Sequence, residues 1–280
     1  MKALTEISKK VHSKLADETI HTVYDSFMLS LEDYTVDKRG DIGAWVREAA
    51  LNGLETLTLT LLGEVPERLP VSVIQQAIPL IAQQAVEKID RVRGLAGKIF
   101  YNLLYATDKN GQPIPGISAR EELLEIFAKT PTYVKWGIES ETFPLFVQLI
   151  KLPSYVERIL IGLVVSVGGL TERLVKESSH SLFALLETMP EPEIINFCNI
   201  MLKIFKDYQK IDRVSLPLLK FFDMVITSGF LEPLFENPES PFPMDLLTLC
   251  KNEINKCGDP NKLLASADIF CQLLQVSSPH

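Results

Sequence analysis

The stretches "WVREAALNGLETL" (Trp45–Leu57) and "RVRGLAGKIFYNLL" (Arg91–Leu104) carry the dipeptide Val-Arg at Val46-Arg47 and again at Val92-Arg93, 46 residues on. Each opens a run rich in small residues, with apolar side chains returning at helical spacing. A period of about 40 to 47 residues is that of paired-helix repeats, in which one helix pair is too small to bury its apolar face and must stack on its neighbours. The recurrence predicts an all-α chain whose work is to bind other proteins.

Leu4, Ile7, Val11 and Leu15 recur at spacings of three and four, so the chain starts in a helix. A second helix is expected from about Asp17 to Asp33, a turn from Tyr34 to Gly43, and a third helix from Ala44 to Leu62, which completes the first pair. Val71 to Ile89 and Val92 to Tyr105 form the second pair. "TLTLTL" (Thr56–Leu61) alternates like a strand but continues the helical face of Trp45, Ala49 and Leu54. That shared face marks Trp45 as the core anchor of the first repeat.

Two Pro and two Gly make "TDKNGQPIPGIS" (Thr107–Ser118) an irregular insertion. Ser118 with Glu121, and Ser154 with Glu157, have the spacing of capping boxes before helices at Ala119 to Lys129 and Tyr155 to Val167. Further helices are expected at about Glu172 to Met189, Glu193 to Asp207, Asp212 to Thr227, Pro243 to Lys256 and Asn261 to Val276.

The positions of proline and arginine sharpen the repeat. HEAT units place a kinking Pro 14 positions before an Arg of the next helix; Pro79 precedes Arg93 by 14, and Pro144 precedes Arg158 by 14. Asp41, six residues before Arg47, stands where the repeat arginine can bridge back to the turn. The fold class is therefore read as a HEAT/armadillo-like helical-repeat solenoid, with Asp41, Trp45, Arg47, Pro79, Arg93, Pro144 and Arg158 as structural repeat positions. Because such a core grows by stacking, a single elongated domain over 1–280 is expected.

Composition narrows the function. A net charge of −8, with no basic run longer than Lys9-Lys10 or Lys38-Arg39, argues against nucleic acid as the main partner. The longest nearly uncharged apolar run, Ile159–Leu170, falls short of the roughly 20 residues that span a bilayer. Cys198, Cys250, Cys257 and Cys271 lack C-x-x-C spacing and His12, His21, His180 and His280 are scattered, so neither metal nor cofactor is indicated.

"GLAGKI" (Gly94–Ile99) lacks the spacer and the hydroxyl residue of a phosphate-binding loop. Its small residues instead allow close packing. Arg39-Gly40-Asp41 reads as turn and helix-cap residues. Ser178, Ser179, His180 and Ser181 have no nucleophile elbow, and the carboxylate pairs Glu121-Glu122 and Glu139/Glu141 sit on polar segments with nothing to raise a pKa. No catalytic residue is indicated.

The run "LEDYTVDKRGDIGAWVREAAL" (Leu31–Leu51) resembles the C-terminal region of the tubulin-folding cofactor D family. So, in family order, do Gln83–Leu104, Pro153–Glu172, Val214–Thr227 and Leu246–Gln275. The resemblance implies a chaperone that captures β-tubulin and assembles and disassembles the αβ-tubulin heterodimer with other tubulin-folding cofactors. It also implies a complex containing an Arf-like small GTPase that acts as a GTPase activator on tubulin, a cytoplasmic, cytoskeleton-associated location extending to centrosome or cell junctions, and a chain truncated at 280 relative to longer members. The match is weakest over Thr107–Thr142, where Tyr133, Lys135 and Trp136 form the candidate partner-binding group. A tubulin-independent HEAT-repeat scaffold is the alternative.

Overall fold

The computed structural model describes residues 1–128, 134–237 and 239–276. The chain folds as two compact units, Met1–Ile159 and Leu160–His280. The division falls within one helix, α8 below.

The first unit contains α1 (Lys2–Val11), α2 (Asp17–Ser30), α3 (Gly43–Glu64), α4 (Val71–Gln84), α5 (Asp90–Tyr105), α6 (Arg120–Ala128) and α7 (Glu139–Phe146). α2 packs on α3 and α4 on α5; between the pairs, α2 meets α4 and α3 meets α5. Like helix stacks on like, which is the paired-helix repeat. α3 also receives α1 on another side.

Tyr24, Phe27, Leu31, Leu54 and Leu61 are buried between α2 and α3 and its flanks, and each such side chain contributes roughly 1.5–3 kcal/mol by leaving water. The Tyr24 hydroxyl pairs with Thr58 Oγ1 at 2.8 Å, so its polar end is satisfied inside the core. Helix lengths differ at their ends from the sequence reading: α2 stops at Ser30 and α4 at Gln84. Thr56–Leu61 lies within α3.

The turn after α2 holds the only strands among the described residues, β1 (Val36–Asp37) and β2 (Gly40–Asp41), paired antiparallel as Val36↔Asp41 and Asp37↔Gly40. Gly40 has φ +99, a conformation that favours glycine. The Asp37 carboxylate accepts from the Arg39 backbone N–H at 2.7 Å and from Arg39 Nη2 at 2.6 Å. Sequence reading finds no strand here because two-residue strands leave no alternation.

α8 (Val156–Val167) leads into the second unit, which contains α9 (Glu172–Leu186), α10 (Glu191–Asp207), α11 (Asp212–Thr227), α12 (Glu232–Glu236), α13 (Phe242–Ile254) and α14 (Pro260–Val276). α14 packs on α11 and α13, and α13 on α10 and α12. A Cβ at Gly168 would stand 2.1 Å from the Pro217 carbonyl oxygen, so only glycine fits there. At one end, the Lys262 ammonium, 3% exposed, is held by Asp212 Oδ1 at 2.6 Å and by the fully buried Glu253.

The fold is all-α, of the helical-repeat class.

Candidate functional site

Arg47 and Arg93 each place a buried guanidinium at the turn of their own helix pair. Arg47 Nη1 donates to the Asp33 carbonyl at 2.6 Å, and its Nη1 and Nη2 grip Asp41 Oδ1 and Oδ2 at 3.1 and 2.9 Å. The Tyr34 ring lies 4.4 Å from the guanidinium carbon. Burial opposes the charge, but the Asp41 hydrogen bonds and the fields of Glu87 and Asp41 outweigh it, and the Arg47 pKa rises.

Arg93 Nη1 donates to the Glu87 and Lys88 carbonyls at 2.9 and 3.3 Å, while Nη2 reaches forward to the Gly137 carbonyl at 2.8 Å and Glu139 Oε1 at 3.1 Å. Here burial dominates, with Glu139 and Asp90 offsetting it only in part, and the pKa falls. Arg93 thus stitches its own turn to the segment before α7.

Arg158 does not repeat this arrangement. Its side chain is 36% exposed and its Nη1 donates to Glu32 at 3.1 Å. α7 has only eight residues and runs directly into a 3-10 turn, Val147–Lys151. That unit is too short to keep the register of the first two. Pro79 and Pro144 lie inside α4 and α7 respectively.

Trp45 is not a core anchor: it is 52% exposed. α3 is covered by α1, α2 and α5, so its buried residues are spread round most of the helix, and the position next to the hairpin is left for Trp45. The Arg39 guanidinium sits 5.4 Å from its ring. Trp45 borders a groove of about 650 Å³ with Lys2, Glu6, Glu48, Asn52 and Thr56.

Beneath the hairpin the Tyr34 hydroxyl donates to the Glu87 carboxylate, which is 1% exposed, and accepts from Gln84 Nε2 at 2.9 Å. Gln83 Nε2 reaches Glu87 Oε1 at 3.2 Å. This polar joint ties the first turn to the end of α4. Its members stand about 50 positions apart, and no sequence spacing announces them.

Lys135 is exposed and Trp136 half-buried, whereas Tyr133 lies outside the described residues. Trp136 packs on Tyr101, Phe127 and Phe146 at ring distances of 5.5, 6.3 and 6.1 Å. The close packing expected of "GLAGKI" has a definite object: Cβ atoms at Gly94 and Gly97 would stand 3.1 Å from Gly137 and 3.0 Å from the Trp136 ring. The Thr107–Ser118 insertion is pinned by buried Ile114 and Ile117, with Lys109 to Gln112 exposed at its tip. α6 starts at Arg120 after Ala119 at φ +50, a residue later than the capping-box reading places it.

Ser178 donates to the Leu174 carbonyl at 2.7 Å and Ser181 to the Glu177 carbonyl at 2.8 Å, so both hydroxyls serve their own helix. All four cysteines are free thiols, and burial pushes Cys198 and Cys250 up to about 12. Among the described residues no three His, Cys, Asp or Glu side chains are grouped to hold a metal ion, and no helix is long and apolar enough to cross a membrane.

Paired helices with turns tethered by buried arginines define a helical-repeat protein. The profile of the family described as tubulin folding cofactor D C terminal matches residues 75–262. The chain belongs to that family. It is similar to the tubulin-specific chaperone D of Dictyostelium discoideum, with 29% identity over 209 residues, covering 65% of this chain and 14% of the relative. Over 79 residues it is 29% identical to the tubulin-folding cofactor D of Schizosaccharomyces pombe, covering 28% of this chain and 7% of that one. The chain therefore spans a small part of the curated relatives it matches. No solved structure matches it.

Proposed function

We propose that this chain is a protein-binding section of a tubulin-folding cofactor. It contributes surface for capturing β-tubulin and for assembling and disassembling the αβ-tubulin heterodimer together with other cofactors. It works within a complex that includes an Arf-like small GTPase and promotes tubulin GTP hydrolysis, in the cytoplasm and in association with the cytoskeleton. None of its residues is assigned to the chemistry of that hydrolysis.

The observation that carries this reading is the family match across residues 75–262, together with two relatives whose names refer to tubulin. The geometry is consistent with it: buried arginines fix the turns, and rigid turns present side chains at little entropic cost on binding. The test is a crosslinking map of the chain with purified αβ-tubulin, backed by co-precipitation. Crosslinks to β-tubulin from the hairpin and from Lys135 are the expected result. Absence of both crosslinks and co-precipitation would favour a tubulin-independent scaffold.

A further inference from the structure

α14 carries two stripes. Lys262, Ala265, Ile269 and Leu273 are buried, and the Lys262 ammonium, held by Asp212 and Glu253, fixes the first turn of the helix against the rest of its unit. Leu263, Ala267, Phe270 and Leu274 form a second stripe on an adjoining side, at spacings of four, three and four. Leu263 is 43% and Leu274 70% exposed, Ala267 is exposed and Phe270 is half-buried. The solvent side of a helix is ordinarily polar. Four apolar positions in line therefore form a surface that gains by leaving water.

The order of the side chains bears on what covers them. Four, three, four reads the same in both directions, so a two-fold axis crossing the helix between Asp268 and Ile269 lays the stripe antiparallel on a copy of itself. Leu263 then meets Leu274 of the second copy, and the Phe270 ring meets its Ala267, a large side chain opposite a small one. Spacings of three and four are those that interdigitate between helices crossing at about 20°. Asp268, next to the axis in sequence, lies off the stripe and within range of Asp223 on α11, so the axis does not bring two carboxylates together.

We propose that this face of α14 binds a second copy of the chain as an isologous, antiparallel helix pair, an interaction independent of the tubulin reading. The clamp on Lys262 holds the face in place before the copies meet, which lowers the cost of ordering it. From Leu263 to Leu274 the strip is about 17 Å long at 1.5 Å per residue. One strip of that length covers less than the roughly 1,200 Å² of a specific, stable interface. The association is accordingly weak, and mass action makes it depend on concentration.

The test is sedimentation velocity of the full chain over a wide concentration series, with circular dichroism to check that each variant is folded. The sedimentation coefficient is expected to rise with concentration and level off at a dimer. Leu263→Lys puts a charge without a counterion into the covered strip and should abolish the rise. Ala267→Leu tests the pairing itself: added apolar surface would strengthen unspecific adhesion, but here it collides with Phe270 of the second copy and should weaken association. Leu170→Lys, at a leucine 92% exposed and outside α14, should change nothing. A monomer at every concentration, growth beyond a dimer, an unaltered rise in Leu263→Lys, stronger association in Ala267→Leu, or loss of association in Leu170→Lys each overturns the proposal.

Discussion

Gly53 on α3 faces Phe27 on α2 so closely that a Cβ at Gly53 would stand 2.3 Å from the ring carbon Cε1. Phe27 is fully buried and has no room to withdraw. In a helix interior Ala is favoured over Gly by roughly 0.5–1 kcal/mol, but overpacking a core costs about 1–3 kcal/mol. Gly53→Ala is expected to lower stability in urea denaturation. Gly63 lies on the same helix with nothing within 4 Å of its Cβ position, and Gly63→Ala should raise stability by about 0.5–1 kcal/mol.

Trp45→Ala should leave the melting temperature nearly unchanged, with a stability change within about 0.5 kcal/mol, as for surface positions generally. The half-exposed ring leans on Arg39 and buries little. A loss of several kcal/mol would instead restore Trp45 to the core.

Arg93→Met strips donors from the Glu87 and Gly137 carbonyls and leaves Glu139 without its partner. Removing one member of a buried ion pair costs about 3–5 kcal/mol, so a large drop in the denaturation midpoint is expected. Arg158→Met breaks a pair between half-exposed side chains and should cost about 0–1 kcal/mol. Similar losses for the two would show that the repeat position, not the burial, sets the effect.

Burial raises the Asp223 pKa above the ordinary 3.8, and the Asp268 carboxylate raises it further. The folded state then holds its proton more tightly than the unfolded state. As pH rises from 3.8 through the folded value, ionisation subtracts stability. Asp223→Asn removes that loss, so the variant should melt at a higher temperature than the parent at neutral pH, and the gap should close below pH 3.8. A gap independent of pH would assign the effect to packing.

Much of the fold was legible. α3 and α5 carry the Val-Arg recurrence, α11 begins and ends where its periodicity places it, and the Pro- and Gly-rich Thr107–Ser118 and the pair Gly168-Gly169 mark breaks. α7 was not legible, because Pro144 interrupts eight residues that follow another Pro-containing stretch. Trp45 was misplaced since a helix covered on three sides shows no single apolar stripe from which to read its open face. The Arg47–Asp41 bridge could be read from a local spacing of six. The Tyr34, Gln84 and Glu87 joint and the packing of Trp136 on Tyr101 depend on which segments meet in space, and one sequence does not encode that in any short spacing.

The Tyr34 joint bears on how the first unit opens. In stacked helix pairs with only neighbour contacts, each pair can fray by itself, and amide hydrogen exchange then proceeds pair by pair. Tyr34 belongs to the turn of the first pair, yet its hydroxyl is held by Glu87 and Gln84 at the end of α4. Neither pair can detach without stranding a buried carboxylate, so slowly exchanging amides of α3 and α5 should share one opening free energy. Tyr34→Phe should split that cooperative block into two, with α5 retaining the slower exchange.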